Sequence, residues 1–112
     1  MKDIVNLRIQ IAPLGFEVDR IIIPAVRMKA DKVWLIAHDN AAEDKAKKYR
    51  QNIEKELKKN GIKTEVVFAN RLRLFPIIKA VTEIIFKERK NNIYVNVATG
   101  SKVHAIGCMM AC

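Results

Sequence analysis

The stretch Ile93-Tyr94-Val95-Asn96-Val97-Ala98-Thr99-Gly100-Ser101-Lys102 decides the fold. An apolar run of strand length ends in a glycine turn. The apolar helical segment Val103–Cys112 then opens on Ser101, with Lys102 in its first turn. A strand feeding a helix through a tight turn is the repeating element of a parallel sheet with crossover helices. The turn also brings unpaired backbone N–H groups, a hydroxyl and an ammonium to one point, as a phosphate or other anionic ligand requires.

Three similar units precede it. Strand one spans roughly Val5–Ala12, strand two Lys32–His38 with the run Val33-Trp34-Leu35-Ile36-Ala37, strand three Lys63–Phe68 and strand four Asn92–Ala98. The order implies an α/β fold, a Rossmann-like doubly wound and mainly parallel sheet with helices on both faces. Strands two and four read as buried on both faces. Strand one alternates, Val5, Leu7, Ile9 and Ile11 against Asn6, Arg8 and Gln10, whereas a central parallel strand is usually apolar throughout. That pattern fits a partly open face or burial against a missing segment.

Helix one covers about Val18–Lys29, with Pro24 inside it imposing a kink or a late start. Helix two, about Ala41–Asn60, has the narrow stripe Ala46, Tyr49, Ile53 and Leu57 and ends at Asn60-Gly61. Helix three, about Leu74–Arg89, carries the wide stripe Leu74, Ile77, Ile78, Val81, Ile84 and Ile85, which predicts deep packing. The fourth helix is still apolar at Cys112 and shows no stop signal. The expectation is an N-terminal fragment of a longer protein, truncated in its last helix and lacking its effector domain. The alternative is a short chain whose last helix docks on the sheet.

The 112 residues suffice for one domain, residues 1–112. Half are apolar and 29% charged, a globular composition. The formal charge of +9 falls mainly on helices two and three and their flanks, interleaved with acids. It reads first as solvated helix surface and second as a face for DNA or RNA. No apolar run is long enough to span a bilayer and no signal-peptide layout opens the chain, so the expected compartment is the cytoplasm, with no membrane partner.

In a doubly wound sheet with strand order 3-2-1-4, every strand-to-helix loop lies at the carboxyl edge, and the switch point falls between strands one and four. The first loop, Pro13-Leu14-Gly15-Phe16, and the last, Asn96 with Thr99-Gly100-Ser101-Lys102, then flank one crevice. Gly15 serves the turn or lets a ligand approach. Ser101 is a natural helix cap, alone or with a ligand contact in addition. Lys102, a cation in a first helical turn, opposes the helix dipole, and an anionic partner relieves that conflict. His38, Arg71 and Arg73, on the two intervening loops, are packed or solvated residues or secondary contacts.

Other chemistries lack their signatures. His104, Cys108 and Cys112 share a helical face, but a face packed on the sheet explains them better than a metal site does. There is no Walker A spacing, no Gly-x-Gly-x-x-Gly after strand one, no nucleophile elbow and no carboxylate cluster. No cofactor, metal or catalytic residue is indicated, which favours a binding domain over an enzyme.

The motif Asn96-Val97-Ala98-Thr99-Gly100-Ser101-Lys102 resembles the Asp/Asn-x-x-Thr-Gly-Ser/Thr-Lys/Arg signature of CRISPR-associated Rossmann-fold (CARF) sensor domains, and Ala12–Phe16 with Asp19 and Arg20 resembles that family's other ligand loop. Among its members, the chain looks closest to archaeal regulators that join such a domain to a winged helix-turn-helix. The resemblance implies a homodimer that binds a cyclic oligoadenylate, or a related phosphate-containing nucleotide, across its two-fold axis. It implies that DNA is contacted only through a missing C-terminal domain. It also implies an alternative, since some members slowly cleave their ligand as ring nucleases. Direct nucleic-acid binding through helices two and three is a further one.

Overall fold

The computed structural model describes residues 6–14, 19–37, 44–70, 73–96 and 102–111, with the side chains of 44–46, 102–105 and 107 outside the description. Strands β1 (Arg8–Pro13), β2 (Lys32–Ala37), β3 (Lys63–Phe68) and β4 (Asn92–Val95) alternate with helices α1 (Asp19–Arg27), α2 (Asp44–Lys59), α3 (Leu74–Lys87) and α4 (Lys102–Ala111). All strands pair in parallel, in the order β3-β2-β1-β4. This is the α/β, Rossmann-like architecture and the strand order expected from the sequence.

The two faces of the sheet bury separate cores. Ile9, Ile11, Trp34 and Ile36 meet Ile77, Val81 and Ile84 of α3 and Cys108 of α4 on one side. On the other, Ala12, Val33 and Leu35 meet Ile21 and Ala25 of α1 and Ile53 and Leu57 of α2. The period of two in the strands sends alternate residues to opposite cores. That is why β2, buried at five consecutive positions, reads as an unbroken apolar run.

Helix ends follow local chemistry. α2 stops on Gly61 at φ 72°, with Gly61 N–H bonded to the Lys58 carbonyl at 3.0 Å and Ile62 N–H to the Leu57 carbonyl at 2.9 Å, a Schellman cap. α1 ends the same way but on a lysine: Lys29 sits at φ 55°, and Ala30 N–H reaches the Ala25 carbonyl at 2.9 Å.

Two expectations are corrected. Strand four, at the edge of the described sheet as the expected order places it, is not buried on both faces: Ile93 and Val95 pack on the α3/α4 core, while Tyr94, turned the other way, is 50% exposed. The alternation of strand one leaves no open face on its polar side at Gln10, which is 1% exposed. Its side-chain amide Nε2 donates to the Ile21 carbonyl of α1 at 3.2 Å, so a polar residue is accommodated in a packed layer.

At the amino edge of the sheet, Glu88 is the second buried polar side chain among the described residues. Its Oε2 accepts from Trp34 Nε1 at 2.8 Å and from Lys32 Nζ at 2.9 Å, and its Oε1 accepts from Asn91 Nδ2 at 2.9 Å. Burial pushes the Glu88 carboxyl up, but the three donated hydrogen bonds and the Lys32 charge outweigh it, and the net shift is downward. Lys32 is held above the usual lysine value, first by its bond to Glu88, against the opposing effect of burial.

Candidate functional site at the carboxyl edge of the sheet

The register fixes where the loops leave. β1 pairs with β4 through Ile11 and Val95, and one residue later Asn96 N–H donates to the Ile11 carbonyl at 2.8 Å. On the other side of β1, Leu14 N–H donates to the Ile36 carbonyl at 2.8 Å. The chain therefore departs from two neighbouring strands, after Leu14 and after Asn96, at the same edge. The units from β1 to β3 progress one way across the sheet, and β4 lies on the opposite side of β1. The reversal between β1 and β4 is the switch point, where doubly wound sheets open a crevice.

Of the residues expected at the site, Pro13 is the buried last residue of β1 and Leu14 is half-buried just beyond it. Asn96 stands directly after β4, and its side-chain Nδ2 donates to the main-chain carbonyl of Arg20, in the first turn of α1, at 2.8 Å. Lys102 is the first residue of α4, so its backbone lies at the positive end of that helix. Arg73 caps α3 in extended geometry without a side-chain cap bond; it is exposed, at the loop after β3. That loop is two strand positions from β1, on the order of 10 Å along the edge. Gly15, Phe16, His38, Arg71, Thr99, Gly100 and Ser101 lie outside the described residues.

Sequence reasoning missed Gln10 and the Arg20 carbonyl. Both had a signal: a glutamine in an otherwise apolar strand, and a proline four residues after Arg20. It also missed an open groove along the outer side of α3, lined by Arg73, Phe75, Ile78, Lys79 and Thr82, which includes no residue of β1 or β4. The described residues hold no cluster of three or more His, Cys, Asp or Glu side chains fit for a metal. Cys108 is a buried cysteine in the α3/α4 core. No helix among the described residues is long and apolar enough to cross a membrane.

The family described as HFX_2341_N-like, N-terminal, matches residues 8–112. The chain belongs to that family. A relative, the uncharacterized protein MJ1513 of Methanocaldococcus jannaschii, is 34% identical over 106 residues, covering 90% of this chain and 31% of the relative. The fold is similar to that of Can2 from Sulfobacillus thermosulfidooxidans, solved in complex with cyclic tetra-adenylate: TM-score 0.80, 15% identity, 93% of this chain and 28% of Can2. It is similar also to VC1899 from Vibrio cholerae, with TM-score 0.77, 15% identity, and coverage of 93% and 27%. Family members and structural neighbours thus share this four-unit α/β domain, and the chain spans under a third of the length of each of these three proteins.

Proposed function

We propose that this chain is a CARF-like sensor domain that binds cyclic oligoadenylate between the loops after β1 and β4. The observation that carries the reading is the departure of these two loops from neighbouring strands at the switch point, in a fold shared with a protein solved with cyclic tetra-adenylate. The Asn96–Lys102 motif supports it from the sequence side.

In this reading, backbone N–H groups near Gly100, Ser101 and Lys102 hold phosphates, assisted by the α4 dipole and the Lys102 ammonium. Pro13, Leu14, Gly15 and Phe16 border the adenines, with Thr99 completing the wall and Asn96 at the root of the last loop. His38, Arg71 and Arg73 are secondary contacts along the same edge. A second copy contributes the same loops about a two-fold axis, which suits a ring of repeated nucleotides. In a longer protein carrying this domain, the ligand's preference for one inter-subunit arrangement is what reaches a DNA-binding effector.

The test is isothermal titration with cyclic tri-, tetra- and hexa-adenylate, with linear oligoadenylate as control. Saturable binding of one ring per two chains, without turnover, supports the sensor. Equal or absent binding of rings and linear control overturns it. Ring cleavage by the chain alone would replace the sensor by a ring nuclease. A second reading, direct nucleic-acid binding, draws on the exposed Lys47, Lys48, Lys55, Lys58 and Lys59 of α2. A steep loss of duplex affinity with salt would support it.

A further inference from the structure

Pro24 lies inside α1 and has no N–H, so the carbonyl four residues earlier, that of Arg20, loses its helical donor. A side-chain amide supplies the replacement: Asn96 Nδ2 donates to the Arg20 oxygen at 2.8 Å. The next carbonyl, that of Ile21, accepts from Gln10 Nε2 at 3.2 Å. One donor lies in β1 and the other directly after the neighbouring β4, and they reach consecutive carbonyls in one helical turn. Gln10 is fully buried among apolar neighbours, and an amide in that position requires a partner to be tolerated.

The Asn96 bond ties the residue that precedes the last loop to the helical turn that follows the first. The first loop leaves β1 at Leu14, pinned to Ile36, and re-enters regular structure at Asp19, immediately before the turn that Asn96 and Gln10 hold. The last loop begins at the residue after Asn96. One side chain therefore sets the far end of the first loop relative to the near end of the last.

We propose that Asn96 and Gln10 are positioning residues of the candidate site. They hold the first turn of α1 through the Arg20 and Ile21 carbonyls and so fix the spacing of the two loops, with Asn96 donating to backbone and not to ligand. The consequence for binding rests on the sensor reading; the latch itself does not. Pro24 is part of the device, because it vacates the carbonyl that Asn96 occupies. A directed hydrogen bond of this kind has a defined geometry where apolar packing alone would let the helix slide.

A double-mutant cycle on the full chain tests this. Pro24→Ala returns an N–H that faces the Arg20 carbonyl and makes the Asn96 amide redundant. Asn96→Ala should lower the folding equilibrium constant about fivefold in the native background and less than about twofold beside Pro24→Ala. Asn96→Ser, which is too short to reach the Arg20 carbonyl, should follow the same pattern. Amide exchange across α1 should quicken in either Asn96 variant and slow again in the double variants. Affinity for cyclic tetra-adenylate should fall about tenfold with Asn96→Ala and recover beside Pro24→Ala.

Equal losses of stability in both backgrounds overturn the latch. A stability cycle that couples while ligand affinity stays low beside Pro24→Ala makes Asn96 a ligand contact and overturns the positioning role. If the unaltered chain binds no cyclic oligoadenylate, the sensor reading fails. The positioning role is then decided by α1 exchange alone: unchanged exchange in Asn96→Ala overturns it.

Discussion

Trp34 donates its indole N–H to Glu88 at 2.8 Å, and the pair closes the amino edge of the sheet, opposite the candidate site. The tryptophan lies in an otherwise apolar strand, so its polar hydrogen needs an acceptor within the core. Glu88, one residue beyond α3, supplies it, and Lys32 at the start of β2 balances the charge.

This cluster predicts the acid limb of stability. The Glu88 carboxyl is depressed below 4.5 in the folded chain, so its contribution is complete above pH 4.5 and is lost as pH falls through the folded value. Lys32, raised above 10.5, contributes fully below pH 10.5 and loses that contribution as pH rises through its folded value. Urea unfolding should show Glu88→Gln less stable by about 1–2 kcal/mol at neutral pH, with a shallower loss in acid than the native chain. Glu88→Ala, which strands Trp34 Nε1 and Lys32, should lose about 3 kcal/mol.

The α1 terminus offers a gain. Lys29 occupies the left-handed region, at φ 55°, where a side chain is disfavoured and glycine is not. Lys29→Gly should raise unfolding free energy by about 0.5–1 kcal/mol, and a lower midpoint in urea would contradict this reading of the cap.

α2 is held by a narrow seam. Ile53 and Leu57 are fully buried, whereas Tyr49, one turn earlier, is 36% exposed. Leu57→Ala should therefore cost about 3 kcal/mol, measured by denaturation, while Tyr49→Ala should stay within about 1 kcal/mol.

Lys102 separates stability from binding. As the first residue of α4 it opposes the helix dipole, so Lys102→Ala should leave the free chain as stable or up to about 0.5 kcal/mol more so. Under the sensor proposal the same change should weaken cyclic oligoadenylate binding about tenfold or more. Unchanged affinity would remove Lys102 from the site.

Element order and strand order were legible because each is carried by local signals: apolar runs of strand length, the stop at Gly61, and the handedness of crossovers. The burial of Gln10 was not, because it depends on a carbonyl in another element. The exposed face of β4 was not legible either, although the order 3-2-1-4 put that strand at the edge. Ile93, Tyr94 and Val95 have the composition of an interior strand, and only pairing decides that Tyr94 faces outward. At the site, topology gave the departure of the two loops from neighbouring strands at one edge. The role of Asn96 toward Arg20 emerges only when the proline of α1 is placed beside the end of β4.

The central strand pairs on one side with residues that follow it closely and on the other with Asn92–Val95, and the bond from Leu7 N–H to Asn91 spans 84 residues. A chain emerging from the ribosome can join β1 to β2 early, but β1 lacks its other partner until Asn92–Val95 has been made. Pairings of such sequence separation are late steps in folding. Under the sensor proposal, the site between the loops after β1 and β4 therefore waits on this distant pairing, and a copy that has not formed it should bind no ligand.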